Sequence, residues 1–160
     1  MRAAHASQAN VLIHTDAYDC VCLQPLGELL EKFQALKHPI VFSFEGHHQP
    51  EYWLALNSGL VVAHREAFLD VFALDGLEEC FPDHFNDQNQ IQMLYSWHPE
   101  WFSLDTDSRL FYTQTPRVPP LVQRGGSLVN PLTGTKPSFV HGPHNSDLSN
   151  VDEWIASLKS

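Results

Sequence analysis

The sequence predicts an α/β domain, and three stretches near its start carry this prediction. Val11-Leu12-Ile13 is a short apolar run of the kind that forms a buried strand. Apolar residues then recur at helical spacing from Pro25 to Lys37, and Ile40 to Phe44 is a second apolar run. Strand, helix and strand in this order are typical of a parallel sheet whose strands are joined by crossover helices.

The remaining patterns extend this domain to the end of the chain. Further helices are expected at 65–80, 86–97 and 152–159, further strands at 60–62, 102–105, 109–113 and 138–140, and a long loop or edge hairpin at 114–136. The 160 residues are enough for one hydrophobic core, and the sequence contains no internal repeat. Residues 1–10 are polar and small, so we expect a disordered lead-in followed by a single domain over residues 11–160.

Composition excludes several classes of protein. Hydrophobic residues make up 43% of the chain, which argues against disorder, and the net charge of −10 argues against nucleic acid as a partner. No apolar run is long enough to cross a bilayer, and residues 1–10 lack the apolar segment of a signal peptide. The three cysteines leave at least one free thiol even if a disulfide forms.

Two carboxylates, Asp16 and Asp19, follow the first apolar run and are the first candidates for chemistry. Ligands of open α/β sheets bind beyond the carboxyl ends of the strands, which is where these residues are expected. If the chain turns there, both carboxylates can bind one hard cation, and such a cation neutralises a phosphate. The alternative is an ordinary turn or helix N-cap, and the spacing alone favours it because Asp is common in turns.

Three further stretches contain candidate residues, each with a structural alternative. His141 follows the last predicted strand, and imidazole suits Mn²⁺ as well as Zn²⁺, although a His beside a Gly is more often structural. Asn57-Ser58-Gly59 either lets a ligand approach the backbone or forms a simple turn. Asn86-Asp87-Gln88 offers a carboxylate at a helix N-terminus, for which capping is the alternative. A zinc hydrolase would need three His ligands to converge, and no zinc motif accompanies the candidates His47, His48, His141 and His144.

Several short motifs occur in one order along the chain. They are Thr15-Asp16-Ala17-Tyr18-Asp19, the helix Glu28-Leu29-Leu30-Glu31-Lys32-Phe33, His38-Pro39-Ile40-Val41-Phe42-Ser43-Phe44-Glu45, Leu56-Asn57-Ser58-Gly59, Asn86-Asp87-Gln88, Leu104-Asp105 with Leu110-Phe111, and Val140-His141-Gly142. Each motif is weak alone, but their shared order over residues 11–145 is specific. Together they resemble the glycosyltransferase domain of the procollagen lysyl hydroxylases and related collagen-type glycosyltransferases.

The resemblance implies a GT-A-like fold that binds a UDP-sugar with Mn²⁺ or Mg²⁺. It assigns the site residues to three groups, which are the metal ligands Asp16, Asp19 and His141, the donor-binding residues Tyr18, Asn57 and Gly142, and the residues on the sugar or acceptor side Asp87, Gln88 and Glu45. The chemistry is consistent with these roles, because the leaving group is a diphosphate and a divalent cation stabilises its developing charge.

The sequence also departs from the family pattern. The family's Asp run is reduced to Asn86-Asp87, and Pro143-His144-Asn145 stands where the family has a phosphate-binding lysine. Family domains begin with a strand–helix–strand unit that helps to bind uridine, and residues 1–10 are too few for such a unit. We therefore expect an α/β chain with an incomplete GT-A-like mixed sheet flanked by helices.

The leading functional prediction is a metal-dependent glycosyltransferase that moves a hexose from a UDP-sugar to a hydroxylysine or collagen-like acceptor. The alternative is a non-catalytic fragment or relic that keeps the metal turn and acts as a binding module. The expected partners are a UDP-sugar and a protein or glycan acceptor, with no nucleic acid and no transmembrane segment. The resemblance implies the endoplasmic reticulum or secretory pathway, whereas a chain without a signal peptide is expected in the cytoplasm.

Overall fold

A computed structural model describes residues 8–16, 18–46, 55–72, 87–143 and 146–159 as a mixed α/β fold. In chain order its strands are β1 (Val11–Thr15), β2 (Cys20–Cys22), β3 (Ile40–Phe44), β4 (Leu56–His64), β5 (Ser103–Leu104), β6 (Phe111–Thr113), β7 (Val122–Arg124), β8 (Ser127–Val129) and β9 (Phe139–His141). Its helices are α1 (Leu26–Leu36), α2 (Arg65–Phe72), α3 (Asp87–Trp97) and α4 (Ser149–Ser157), with a short 3-10 helix at Pro99–Trp101. The mixed sheets and flanking helices confirm the predicted α/β class.

The larger sheet has four strands in the order β1-β4-β3-β5. Strand β4 is antiparallel to both β1 and β3, while β3 and β5 are parallel. Strands β1 and β3 therefore run in the same direction, as the strand–helix–strand pattern predicts. They are not direct neighbours, because β4 lies between them and hydrogen-bonds to each.

The segment Asn57-Ser58-Gly59 lies inside β4, so the simple-turn alternative for it is wrong. Its pairing with β3 is irregular, because Phe42 pairs with Val61 while the next residue, Ser43, pairs with Asn57. The extra residues of β4 form a bulge, which bends a strand and redirects its side chains. The bulge lies on the stretch of β4 that faces the end of β1.

A second sheet has three strands in the order β2-β9-β6. Strand β2 is antiparallel to β9, with Cys20 paired with His141, and β6 is parallel to β9. His141 is thus the last residue of β9 itself and not part of the following loop. Strands β7 and β8 form a separate hairpin with Gly125 and Gly126 at its tip, which confirms the hairpin alternative for residues 114–136.

Helices cover both faces of the larger sheet. Side chains of β3 alternate between the faces. Val41 packs with Leu29 and Phe33 of α1, whereas Ile40 and Phe42 belong to a second cluster with residues of α2 and α3. Helix α4 covers the second sheet through a third cluster. Among the described residues, none of the helices has the length and apolarity that a membrane span requires.

Asp105 fixes the connection from β5 to β6. Its side chain is 3% exposed and accepts hydrogen bonds from the backbone N–H groups of Arg109, Leu110 and Phe111 at 2.9, 2.6 and 2.8 Å. Burial raises the pKa of this carboxyl above its ordinary value, although the three hydrogen bonds lower it. The connection is therefore held by a buried carboxyl group and not by hydrophobic packing alone.

Candidate functional site

The loop that contains Asp16 and Asp19 joins the two main sheets. The N–H of Asp16 donates to the carbonyl of Gly59 at 2.9 Å, which continues the pairing of β1 with β4. The N–H of Gly142 donates to the carbonyl of Asp19 at 2.9 Å, which continues the pairing of β2 with β9. Because each aspartate is attached to a different sheet, the backbone determines where both carboxylates lie.

Both carboxylates face His141, so the structure brings the three predicted metal ligands together. The Nε2 atom of His141 lies 3.4 Å from Oδ2 of Asp16 and 3.4 Å from Oδ2 of Asp19. The imidazole is 2% exposed, whereas the Asp16 and Asp19 side chains are 50% and 35% exposed. The cluster therefore has a buried nitrogen at its base and two carboxylates open to solvent.

Asn57 determines which nitrogen of His141 carries the proton. The Nδ1 of His141 lies 3.0 Å from Oδ1 of Asn57, and the Nδ2 of Asn57 donates to Oε2 of Glu45 at 3.0 Å. Since Glu45 accepts from the amide nitrogen, the amide oxygen must face His141. That oxygen also accepts from the N–H of Gly59 at 3.0 Å. His141 therefore donates through Nδ1, and Nε2 is the nitrogen that faces the two carboxylates.

The buried Nε2 of His141 suits a bound cation. Nε2 is buried and has no hydrogen-bond partner among the described residues. Two carboxylates beside one buried nitrogen favour a positive charge between them, which a bound cation or a proton on Nε2 supplies. Carboxylate oxygens suit hard divalent cations, and a single imidazole is compatible with Mn²⁺. Asp16, Asp19 and His141 thus supply the charge and donor types that such a cation needs, with each carboxylate 3.4 Å from Nε2 of His141.

Gly59 provides the space that this arrangement needs. A Cβ atom at Gly59 would lie 2.6 Å from Oδ2 of Asp16 and 2.8 Å from Nδ1 of His141, both well inside van der Waals contact. The absence of a side chain therefore lets His141 and Asp16 approach the backbone of β4. The sequence predicts close approach of a ligand to the backbone at Gly59, but the groups that approach it are the side chains of His141 and Asp16.

Cys20 is the residue of the site that sequence reasoning missed. Cys20 is paired with His141 across β2 and β9. As a result, donor atoms of Asp19, Cys20 and His141 all lie within 4.8 Å of one another. The thiol donates a weak hydrogen bond to the carbonyl of Gly59 at 3.9 Å. Burial, with smaller contributions from Asp19 and Asp16, raises the pKa of this thiol to about 12. The strand pairing that places it is not visible in the local sequence.

The other predicted donor-binding residues lie around this cluster. Tyr18, between the two aspartates, is 100% exposed and free to contact a planar ligand. Gly142 is buried, and its N–H holds the backbone of Asp19. Asn57 is 5% exposed and contacts His141 and Glu45, so its observed contacts are within the site. Direct contact of these residues with a nucleotide stays a prediction.

The predicted sugar-side residues have different surroundings. Glu45 is half-buried and bonded to Asn57. The Oε1 of Gln88 accepts from the N–H of Ser58 at 2.6 Å, and its Nε2 donates to the carbonyl of Leu56. Gln88 thereby ties α3 to β4. Asp87 is the first residue of α3, and its side chain lies outside the described part of the structure, as do Asn86, His47, His48 and His144.

Comparison with known proteins identifies the family. The family model described as the PLOD GT domain matches residues 1–157, which is nearly the whole chain. A search of curated proteins found no match. The matched region includes both sheets and every member of the cluster around His141. The chain belongs to the family of PLOD glycosyltransferase domains.

Proposed function

We propose that this domain transfers a hexose from a UDP-sugar and that Mn²⁺ or Mg²⁺, bound by Asp16, Asp19 and His141, is required. The family supports glycosyltransferase function in general. The observation that supports the cation site is the buried Nε2 of His141, which has no hydrogen-bond partner among the described residues and lies 3.4 Å from each carboxylate. The acceptor that we propose is a hydroxylysine or collagen-like chain, in line with the family.

The cation would neutralise the diphosphate and stabilise its departure as a leaving group. The chain's own residues orient this chemistry. Asn57 holds the imidazole of His141 with Nε2 towards the carboxylates, and Glu45 holds the amide of Asn57. Hydrogen bonds of this kind fix the orientation of metal-ligating histidines and raise their basicity. The exposed carboxylate faces of Asp16 and Asp19 are the side from which a diphosphate can approach.

Tyr18 is proposed to lie against the uracil base. Its ring is fully exposed beside the two carboxylates, and stacking of a base on an aromatic ring contributes about 1–3 kcal/mol. Tyr18→Ala should then weaken UDP binding by about 5–150-fold, which is the factor that this energy corresponds to. Tyr18→Phe keeps the ring and should bind UDP nearly as well as the wild type.

Asp87, Gln88 and Glu45 are proposed to contribute on the sugar or acceptor side. Asp87 begins α3, and Gln88 joins that helix to β4 beside the bulge. The contacts of Gln88 with the β4 backbone support a positioning role, since its amide is already hydrogen-bonded. Asn57 is hydrogen-bonded to both Glu45 and His141, so Glu45 lies close to the proposed metal ligands, which supports a role near the reacting groups.

The deciding experiment is UDP binding by calorimetry, with and without Mn²⁺. We expect the wild type to bind UDP only when Mn²⁺ is present, and Asp16→Ala/Asp19→Ala to lose this binding. Arg109→Ala/Asp107→Ala, which removes an exposed ion pair elsewhere, serves as the control and should bind normally. UDP-glucose and UDP-galactose hydrolysis then tests turnover. A folded wild type that binds no UDP with Mn²⁺ contradicts the proposal, and binding without turnover favours a non-catalytic binding module.

A further inference from the structure

Two donor sets overlap at the cation site. Asp19 and His141 are common to both. Asp16 completes an oxygen-rich set, because its Oδ2 lies 3.4 Å from Nε2 of His141. Cys20 completes a sulfur-containing set, whose three donor atoms all lie within 4.8 Å of one another. The third ligand is therefore a carboxylate in one set and a thiol in the other.

The position of Cys20 follows from strand pairing. Cys20 and His141 are direct partners in the antiparallel pair β2–β9, and directly opposed side chains lie on the same face of a sheet. The independent sign of a ligand is the Nε2 of His141, which belongs to a 2% exposed residue and is unpartnered among the described residues. The thiol thus lies beside an imidazole nitrogen that already lacks a hydrogen-bond partner.

The distance between two members of the sulfur-containing set suits a tetrahedral cation. Bond lengths of about 2.3 Å for Zn–S and about 2.0 Å for Zn–N or Zn–O place neighbouring ligand atoms roughly 3.3–3.6 Å apart. The observed 3.4 Å between Nε2 of His141 and Oδ2 of Asp19 lies in this range. Thiolate ligands select thiophilic metals, whereas Mn²⁺ prefers carboxylate oxygen. The choice between Asp16 and Cys20 should then follow the softness of the cation.

We propose that Cys20 makes this centre a second, thiophilic cation site, in which Asp19, Cys20 and His141 bind Zn²⁺ or Cd²⁺ while Asp16 stays outside the ligand set. Binding to the sulfur-containing set does not depend on the proposed function. The expected competition with Mn²⁺ for Asp19 and His141 does rest on it. In binding, the S–H bond of Cys20 breaks, a metal–sulfur bond forms and one proton goes to solvent. The weak hydrogen bond from the thiol to Gly59 is lost, and no oxidant or reductant is needed.

The test is a titration of the full chain with Cd²⁺, followed by the ultraviolet charge-transfer absorption of a thiolate–cadmium bond. The chain has three cysteines, so Cys22→Ser/Cys80→Ser serves as the background in which Cys20 is the remaining thiol. Replacement of Cys22 should leave the cluster intact, because Cys22 is exposed and its thiol donates to the carbonyl of Gln24 at 3.1 Å, away from His141. We expect this background to show the band and to saturate at one ion per chain.

Three single changes in this background separate the two donor sets. Cys20→Ser should abolish the band, because it removes the only thiolate left in the background. Asp16→Asn should keep the band and lose Mn²⁺-dependent UDP binding. Asp19→Asn should weaken both. Zn²⁺ should reduce Mn²⁺-dependent UDP binding in the background protein and do so far less in the Cys20→Ser protein.

The outcomes distinguish this inference from the proposed function. Absence of the band, or a band that survives Cys20→Ser or is lost in Asp16→Asn, overturns the inference. If UDP still binds with Mn²⁺ in that case, the proposed function stands. A Cys20-dependent band in a protein that binds no UDP with Mn²⁺ supports the thiophilic set and contradicts the proposed function.

Discussion

Gly59 of β4 lies in direct contact with the imidazole of His141. A Cβ atom at Gly59 would lie 2.8 Å from Nδ1 of His141, the nitrogen that bonds to Asn57. The residue without a side chain therefore determines how closely β4 and β9 approach at the site. The first prediction tests this contact.

Gly59→Ala should destabilise the domain and weaken cation binding. The added methyl must displace His141 or Asp16, and overpacking of this kind costs about 1–3 kcal/mol. Thermal unfolding and Mn²⁺ calorimetry measure the two effects. Gly27→Ala in α1 is the matched control, because a Cβ there meets no atom within 4 Å, and it should be neutral or stabilising. Equal behaviour of the two variants would contradict the role given to Gly59.

Asn57→Ala should lower the affinity for Mn²⁺ by about 10–100-fold, since it removes the group that orients His141. Asn130→Ala is the control, because Asn130 is also a buried amide, at 2% exposure, and its Oδ1 accepts from the N–H of Leu132. Both variants should lose stability in urea unfolding. Only Asn57→Ala should lose cation affinity, and a similar loss in Asn130→Ala would show that the effect is general destabilisation.

The stability of the domain should depend on the protonation of Asp105. Burial raises its folded-state pKa above the ordinary value of 3.8, so the protonated form favours the folded state. This contribution is fully present below pH 3.8 and is lost as the pH rises through the folded-state pKa. Urea unfolding at a series of pH values should show this decline in the wild type and not in Asp105→Asn. If the free energy of unfolding changes with pH in the same way in both proteins, the role given to Asp105 is contradicted.

Asp105→Asn should also be less stable than the wild type near neutral pH. One amide oxygen can replace Oδ2 for Leu110 and Phe111, but the amide nitrogen then faces the N–H of Arg109. A buried donor left without an acceptor costs about 1–3 kcal/mol. Asp107→Asn, a change at an exposed residue nearby, should leave the free energy of unfolding almost unchanged.

Gly142 and Leu148 should be energetically coupled. A Cβ at Gly142 would lie 2.9 Å from Cγ and 3.0 Å from Cδ1 of Leu148, so Gly142→Ala should destabilise the domain. Leu148→Ala removes the obstructing atoms. The double variant should therefore be more stable than the sum of the single effects predicts, by about 0.5–3 kcal/mol in a double-mutant cycle. Strict additivity would show that the two side chains do not compete for space.

The sequence predicted elements whose signal is local. Helix α1 and strand β3 were predicted almost to the residue, because helical periodicity and an apolar run each report burial directly. The extent of β4 was not predicted. Asn57-Ser58-Gly59 is small and polar and is typical of a turn, but it forms a strand because its backbone pairs with Asp16 and Ser43. Those partners are distant in sequence, so no local pattern shows them.

The site was predicted in part for the same reason. Sheet topology and the family resemblance both pointed to Asp16, Asp19 and His141, which the structure places together. Of Cys20 the sequence shows only that it is one of three cysteines, at least one of which is a free thiol. Its neighbour His141 is visible only once the register of β2 and β9 is known. The hydrogen bond from Asn57 to Glu45 likewise crosses between strands, and its partners cannot be assigned from spacing.

The loop between Asp16 and Asp19 attaches to β4 at one end and to β9 at the other. A cation bound across this loop would therefore act as a clamp between two sheets that are already joined by a shared hydrophobic cluster and by the Asn57–His141 hydrogen bond. A partial opening of the domain would break the ligand set, and ligation would oppose opening by the free energy of binding. Slow hydrogen exchange at the β2–β9 pair and tight cation binding would then be two measures of the same equilibrium.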